Sequence, residues 1–257
     1  NAAGEAKGNS EQYDGTSWTE VGDWNVNRGY GGNAGTTTAG LCMGGYDQAG
    51  SARDISEEWN GTSWTEGDNL NATKYYAGSC GTQTAAMMVG GQNTTIGAQF
   101  ETYNGTSWTE EDHGLNTARS ACGGWGVTTA ALMCGGYTTP YLGETETYDG
   151  TSWSETGDLG KARAGEGGTS LATASVGTDG LRFGGSSSPP HQALTEQFNG
   201  TTWTEVGDLP VNLAGNGGTG TGSNAISVGG NSPPNTYRDD TYEWTGEHVA
   251  AATFTSS

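Results

Sequence analysis

Basic residues are scarce in this chain: nine Lys and Arg stand against 29 Asp and Glu, a formal net charge of −20. Nucleic acid is thereby excluded as a partner, because its affinity rests on cations neutralising phosphates. Anionic membrane surfaces are disfavoured on the same ground, and the acidity itself favours solubility. Long apolar runs are missing too. None approaches the roughly 20 residues that a bilayer-spanning helix needs, so no membrane insertion is expected. Histidine is limited to three residues, His113, His191 and His248, and the four cysteines, Cys42, Cys80, Cys122 and Cys134, form no Cys-x-x-Cys pair. That spacing predicts free buried thiols acting as small apolar groups, with one disulfide as the alternative. The chain starts at Asn1 rather than Met and shows no signal-peptide pattern, so removal of something upstream is an expectation.

What the chain has in quantity is glycine, 47 residues, together with 9 Trp and 11 Tyr, which supply large buried surfaces where only 32% of residues are hydrophobic. It also has a ten-residue phrase. Glu-Gln-Tyr-Asp-Gly-Thr-Ser-Trp-Thr-Glu at 11–20 returns at 57–66, and again around Trp108, Trp153 and Trp203. Its tryptophans, Trp18, Trp64, Trp108, Trp153 and Trp203, recur about every 46 residues, a period that signals a propeller or a solenoid. An aromatic followed by Asp-Gly or Asn-Gly and a Thr-Ser-Trp run predicts a hairpin with a type I′ turn. A second landmark closes a short apolar run in each unit: Gly44-Gly45, Gly90-Gly91, Gly135-Gly136, Gly184-Gly185 and Gly229-Gly230. Runs such as 85–89 and 130–134 are too short for helices and suit strands buried on both faces. Outer hairpins and Gly-Gly strands therefore alternate, which predicts an all-β, five-bladed propeller with four antiparallel strands per blade. Six blades or an open array are the alternatives. The domain is expected over 11–257, after a flexible lead-in at 1–10, with a degenerate hairpin at 241–254. That last segment competes with the N-terminal hairpin for the place beside Gly229-Gly230. It adds a strand, replaces the hairpin, or leaves a spare hairpin to complete a neighbouring chain as a homo-oligomer.

A Gly-Gly after a short apolar strand, an aromatic strand, a tight turn, a Trp about 18 residues after the Gly-Gly and a loop ending in Arg together resemble the kelch repeat. The resemblance covers nearly the whole chain and implies four-stranded propeller blades; the very short Asp/Asn-Gly-Thr-Ser-Trp turn departs from the usual kelch pattern. In that form the repeats also resemble arrays in structural and tail-associated proteins of aquatic bacteriophages, which implies a virion context and no chemistry.

Two sets of candidate binding residues follow from blade parity. Connections after the second and fourth strands fall on one face, here face A, and the tight turns fall on the other. The A loops at 46–54, 92–99, 137–142, 186–193 and 231–239 vary and display Tyr46, Tyr137, Tyr141, His191 and Tyr237, with Pro189-Pro190 and Pro233-Pro234. Variable loops on a repeated scaffold are where binding residues sit. Arg28, Lys74, Arg119 and Arg163 fall about ten residues after their tryptophans, with Leu213 at the fifth place. They form either a ring that accepts a carboxylate or an acidic peptide, or ion pairs between blades with nearby Asp and Glu such as Asp23, Asp68, Asp112 and Asp158. Asn60, Asn104 and Asn199 match the glycosylation sequon, yet Asp14 and Asp149 stand in their place in sister units, so turn chemistry accounts for them. Glu20, Glu66, Glu110, Glu155 and Glu205, one per blade, predict a solvated rim. Only Trp24 and Trp125 stand outside the repeat pattern. Three scattered histidines do not suit the Tyr/His copper cluster of kelch-type oxidases, so no metal, cofactor or catalysis is expected. The expectation is a non-catalytic structural or interaction propeller on a virion or extracellular surface, such as a tail or fibre component in host attachment. Its partners are other proteins of a larger assembly, or a surface glycan or receptor. A carbohydrate-binding, lectin-type propeller is the alternative.

Overall fold

A computed structural model describes residues 7–165, 180–187, 191–234, 236–246 and 249–252. They form five small antiparallel sheets in a ring, a five-bladed β-propeller without helices. Blade 1 comprises Gly32–Thr36, Ala39–Met43, Ser56–Trp59 and Trp64–Glu66, with Arg28–Gly29 and Tyr46–Asp47 pairing at its A end. Blade 2 comprises Gly78–Thr82, Ala85–Val89, Phe100–Tyr103 and Trp108–Glu110. In blade 3, Gly123–Val127, Ala130–Tyr137, Tyr141–Tyr148 and Trp153–Glu155 follow the same order. Blade 4 shows three strands among the described residues, which leave out 166–179: Gly180–Phe183, Thr195–Phe198 and Trp203–Glu205. Blade 5 comprises Gly217–Gly220, Ala225–Ser232, Thr236–Trp244 and Val249–Ala252. The first strands of blades 1, 2 and 3 lie side by side.

Each outer hairpin is built by the repeated phrase. The aromatic that ends the third strand stands opposite the tryptophan that opens the fourth: Tyr13 and Trp18, Trp59 and Trp64, Tyr103 and Trp108, Tyr148 and Trp153, Phe198 and Trp203. Ring centroids lie 5.0 to 5.4 Å apart. Such aromatic pairs contribute about 0.5–1.5 kcal/mol each beyond the area they bury. The turn differs from the type I′ expectation. It spans four residues, and only its glycine has positive φ (Gly15, Gly61, Gly105, Gly150 and Gly200). The Asp or Asn instead uses its side chain: Asp14 Oδ1 accepts from the Thr16 and Ser17 amides at 2.8 Å, and Asn60, Asn104, Asp149 and Asn199 repeat the arrangement. A side-chain acceptor is what all five phrases share, which is why Asp and Asn alternate there.

These amide bonds hold the Asp14 and Asp149 carboxyls below the usual carboxylate range. A folded-state pKa below the unfolded one contributes stability above the unfolded value, lost as pH falls through the folded one. Stability is therefore expected to fall below about pH 4. The Asp14→Asn/Asp149→Asn variant, which copies the sister turns, should lose less of it, as read from thermal midpoints measured between neutral and acid pH.

The C-terminal segment decides closure. Thr236–Trp244 pairs with Ala225–Ser232, the strand that carries Gly229-Gly230, and Val249–Ala252 adds the outer strand. Trp244 takes the part of Trp59: each indole N–H donates to the carbonyl of its own inner turn, Gly222 at 2.8 Å and Thr37 at 3.0 Å. The N-terminal hairpin, Ser10–Tyr13 with Trp18–Val21, is left as a separate two-stranded sheet. The reason is chemical. Leu213, buried at the fifth entrance, shares a core cluster with Tyr242 of the C-terminal segment, whereas the N-terminal hairpin would bring Glu11 to that spot.

All four cysteines are free and buried. Burial pushes the Cys42 and Cys80 thiols up to about 12 and Cys134 up to about 11. Trp125 is core rather than surface, packed edge-on to Trp203 at 5.8 Å. Trp24 lies over the Arg28 guanidinium, 4.8 Å from ring centroid to Cζ.

Candidate functional site

The entrance cations do not present an open ring. Arg28, Lys74, Arg119 and Arg163 are buried, each ion-paired with the buried glutamate of the blade it enters: Glu57, Glu101, Glu146 and Glu196. These are not the aspartates Asp23, Asp68, Asp112 and Asp158. The glutamates are better placed because each sits seven residues before its tryptophan, on the third strand, where its carboxylate meets the entrance segment of its own blade. Three of them also accept from an asparagine three residues before the cation. Asn25, Asn71 and Asn116 donate backbone and side-chain N–H to Glu57, Glu101 and Glu146 at 2.6 to 3.0 Å, and Gly160 N–H reaches Glu196 at 2.6 Å. Burial raises the Glu57 carboxyl, but Arg28 and Asn25 outweigh it and hold it below the usual range. In the fifth unit Pro210, Leu213 and Tyr242 replace Asn, cation and Glu together, so one apolar set stands in for one ionic set. Paired inside the blade that each one enters, the cations anchor the blade entrances.

Blades are joined at the same level by the Gly-Gly pairs. Gly45, Gly91, Gly136 and Gly185 N–H donate to the entrance carbonyls of Lys74, Arg119, Arg163 and Leu213 in the next blade, at 2.8 to 2.9 Å. The first glycine of each pair has φ near +60°. A Cβ on Gly44, Gly90, Gly135 or Gly184 would stand 2.5 to 2.7 Å from that same carbonyl oxygen. Glycine is required there by both backbone sign and space.

Two residues past each entrance, a backbone belt crosses from blade to blade on face A. Tyr76 N–H donates to Tyr30 O, Ala121 N–H to Tyr76 O and Gly165 N–H to Ala121 O. Tyr30, Tyr76 and Ala121 hold φ of 60°, 54° and 52°. The fifth unit has Gly215 at this place, with φ 65°. Bulky residues rarely adopt the left-handed region, and such strain clusters at functional sites. Here it gathers aromatic rings. Tyr30 and Tyr76 lie 4.5 Å apart, Tyr76 and Tyr75 5.1 Å, and Tyr75 and Tyr46 4.8 Å. Four tyrosines thus form a continuous patch over blades 1 and 2, with Tyr30 48% exposed.

Of the loop residues singled out in the sequence, Tyr46 joins this patch. Tyr137 and Tyr141 pair with each other at 5.2 Å across a blade 3 hairpin that extends from face A. His191 Nδ1 lies 3.2 Å from Ser186 Oγ on blade 4, and Tyr237 is 59% exposed on the long blade 5 hairpin. Pro189 and Pro190 lie outside the described residues. Asp47 is bound to Arg53 and to the Ser51 amide, which stiffens the loop carrying Tyr46. Tyr30, Tyr75 and Tyr76 were not singled out by loop variability, because they precede the first strand. The signal was present: aligned internally, Tyr30 and Tyr76 occupy the place where later units carry Gly165 and Gly215. Glu20, Glu66, Glu110, Glu155 and Glu205 are exposed. Among the described residues no three His, Cys, Asp or Glu side chains gather as metal ligands. The chain matches no protein-family model and no curated protein.

Proposed function

We propose that this chain is a non-catalytic interaction module, a kelch-like propeller of a virion or extracellular surface assembly that contacts its partner through face A. The carrying observation is the tyrosine patch. Two of its rings are held at a backbone conformation that sister units give to Ala or Gly, so local stability does not account for tyrosine there. Tyrosine offers a large, rigid amphipathic contact at low entropy cost, the property that makes it recur in binding hot spots.

Tyr30→Gly and Tyr76→Gly separate binding from folding. Glycine relieves the positive φ, so the thermal midpoint is expected to stay within about 2–3 °C of the parent. Capture of host cells or of assembly proteins should fall about tenfold or more per ring, a loss of roughly 1.4 kcal/mol or more. Unchanged capture by the double variant would remove the patch from the proposal. A carbohydrate partner is the second reading, favoured by the exposed Tyr30 ring, which is suited to lie against a sugar face. A glycan array probed with parent and double variant decides between them: signals lost in the variant assign the patch to glycan, and a blank array alongside cell or protein capture assigns it to protein.

A further inference from the structure

The closest aromatic pair among the described residues joins two blades. Tyr30 lies in the segment that enters blade 1 and Tyr76 in the segment that enters blade 2, with 4.5 Å between ring centroids and 44° between ring planes. At that separation carbon atoms of the two rings lie in van der Waals contact. The backbone holds the pair in place. Tyr76 N–H donates to Tyr30 O at 2.9 Å, and both residues keep positive φ, 60° and 54°. A second contact across the same boundary, Tyr46 with Tyr75, is longer at 4.8 Å. Tyr30 is 48% exposed, and Tyr46, Tyr75 and Tyr76 are half-buried, so solvent-borne reagents reach the row through Tyr30 first.

Sulfur, the usual target of side-chain oxidation, is sheltered in this chain. All four methionines, Met43, Met87, Met88 and Met133, are buried. The four cysteines are buried as well, and free, so no disulfide cross-links one blade to another. An oxidant approaching face A over blades 1 and 2 therefore meets phenols.

We propose that Tyr30 and Tyr76 form a modification site, at which a haem peroxidase using hydrogen peroxide couples the two rings into a dityrosine staple between blades 1 and 2. Each phenol gives up one electron and one proton. The two radicals, with spin on the carbons ortho to oxygen, then form one carbon–carbon bond. The hydrogens on those carbons pass as protons to the phenolic oxygens, which restores both aromatic rings. Hydrogen peroxide takes up the two electrons and two protons and leaves as two water molecules. Because the folded ring already holds the partners in contact, coupling within a chain outruns coupling between chains. Coupling needs no partner on face A, so the site stands whether or not the tyrosine patch binds one.

The test treats the full chain, dilute, with a haem peroxidase and hydrogen peroxide. The chain is expected to gain dityrosine fluorescence while remaining a monomer. Trypsin should then release residues 29–53 joined to residues 75–119, two hydrogen atoms lighter than the separate peptides. Fragmentation of the joined peptide should place the bond between Tyr30 and Tyr76. Tyr30→Phe keeps the ring and removes the phenol, and should lower the yield of joined peptide about tenfold or more; Tyr46→Phe should leave it unchanged. A cross-link that shortens the free loops of the unfolded chain raises stability, so the treated parent should unfold about 5 °C or more above identically treated Tyr30→Phe. Absence of the joined peptide, a bond between any other two tyrosines, its persistence in Tyr30→Phe, coupling only between chains, or an unshifted midpoint overturns the proposal.

Discussion

Glu146→Ala is expected to lower the thermal midpoint by about 10 °C, the largest loss from any single side-chain truncation at the blade entrances. The substitution leaves the Arg119 guanidinium, fully buried, without its carboxylate. It also strands the Asn116 backbone and side-chain donors that now meet Glu146. Removing one partner of a buried pair costs about 3–5 kcal/mol, and each kcal/mol moves the midpoint of a chain this size by about 2–4 °C. The chain carries its own remedy. Asn116→Pro/Arg119→Leu/Glu146→Tyr copies Pro210, Leu213 and Tyr242, where no amide, cation or carboxylate is left to satisfy. That triple variant should recover most of the loss, to within about 3 °C of the parent, since well-packed apolar groups replace buried ion pairs at little or no cost. Calorimetry on the three proteins checks both halves. A triple variant as unstable as Glu146→Ala would mean that the blade 3 entrance cannot take the packing of blade 5.

Gly135→Ala is the second large effect, and Gly229→Ala is its control. Both glycines have φ near +60°, so both substitutions pay the left-handed penalty of about 1–2 kcal/mol. They differ in what the methyl meets. At 135 it would stand 2.5 Å from Arg163 O, a backbone atom of blade 4 that also accepts the Gly136 N–H. At 229 the nearest atom is Arg238 O at 3.4 Å. Gly135→Ala must push two blades apart and is expected to cost about 3–5 kcal/mol, in the range of core disruptions. Urea midpoints should separate the two variants by about 2 kcal/mol or more after scaling by a common slope. Equal losses would show that the contact between blades carries little of the stability.

Why blades join through these places explains what could be read early. The hairpins and Gly-Gly strands were legible because each is encoded within about ten residues: aromatic opposite tryptophan, side-chain-capped turn, glycine at positive φ. Repetition then gave the blade count, which no single unit could supply. The turn type was misread because Asn-Gly fits two geometries, and only the accepting Oδ1 distinguishes a four-residue loop from a type I′ turn. The partners of Arg28, Lys74, Arg119 and Arg163 were out of reach of local reading, since each glutamate lies 27 to 33 residues onward across a whole inner pair. One trace of them stood in the sequence, the joint change to Leu213 and Tyr242, yet it has meaning only once the two positions are known to touch.

Sequence by itself determined the strands, the places of the turns and the number of blades, because those follow from short-range geometry repeated five times. Tertiary structure alone decided which terminal segment completes blade 5, that the entrance cations are buried in ion pairs, and that four tyrosines from two blades meet on one face. Each of those outcomes depends on groups far apart in the chain competing for the same space, and desolvation, which settles such competitions, acts only after the blades have closed around them.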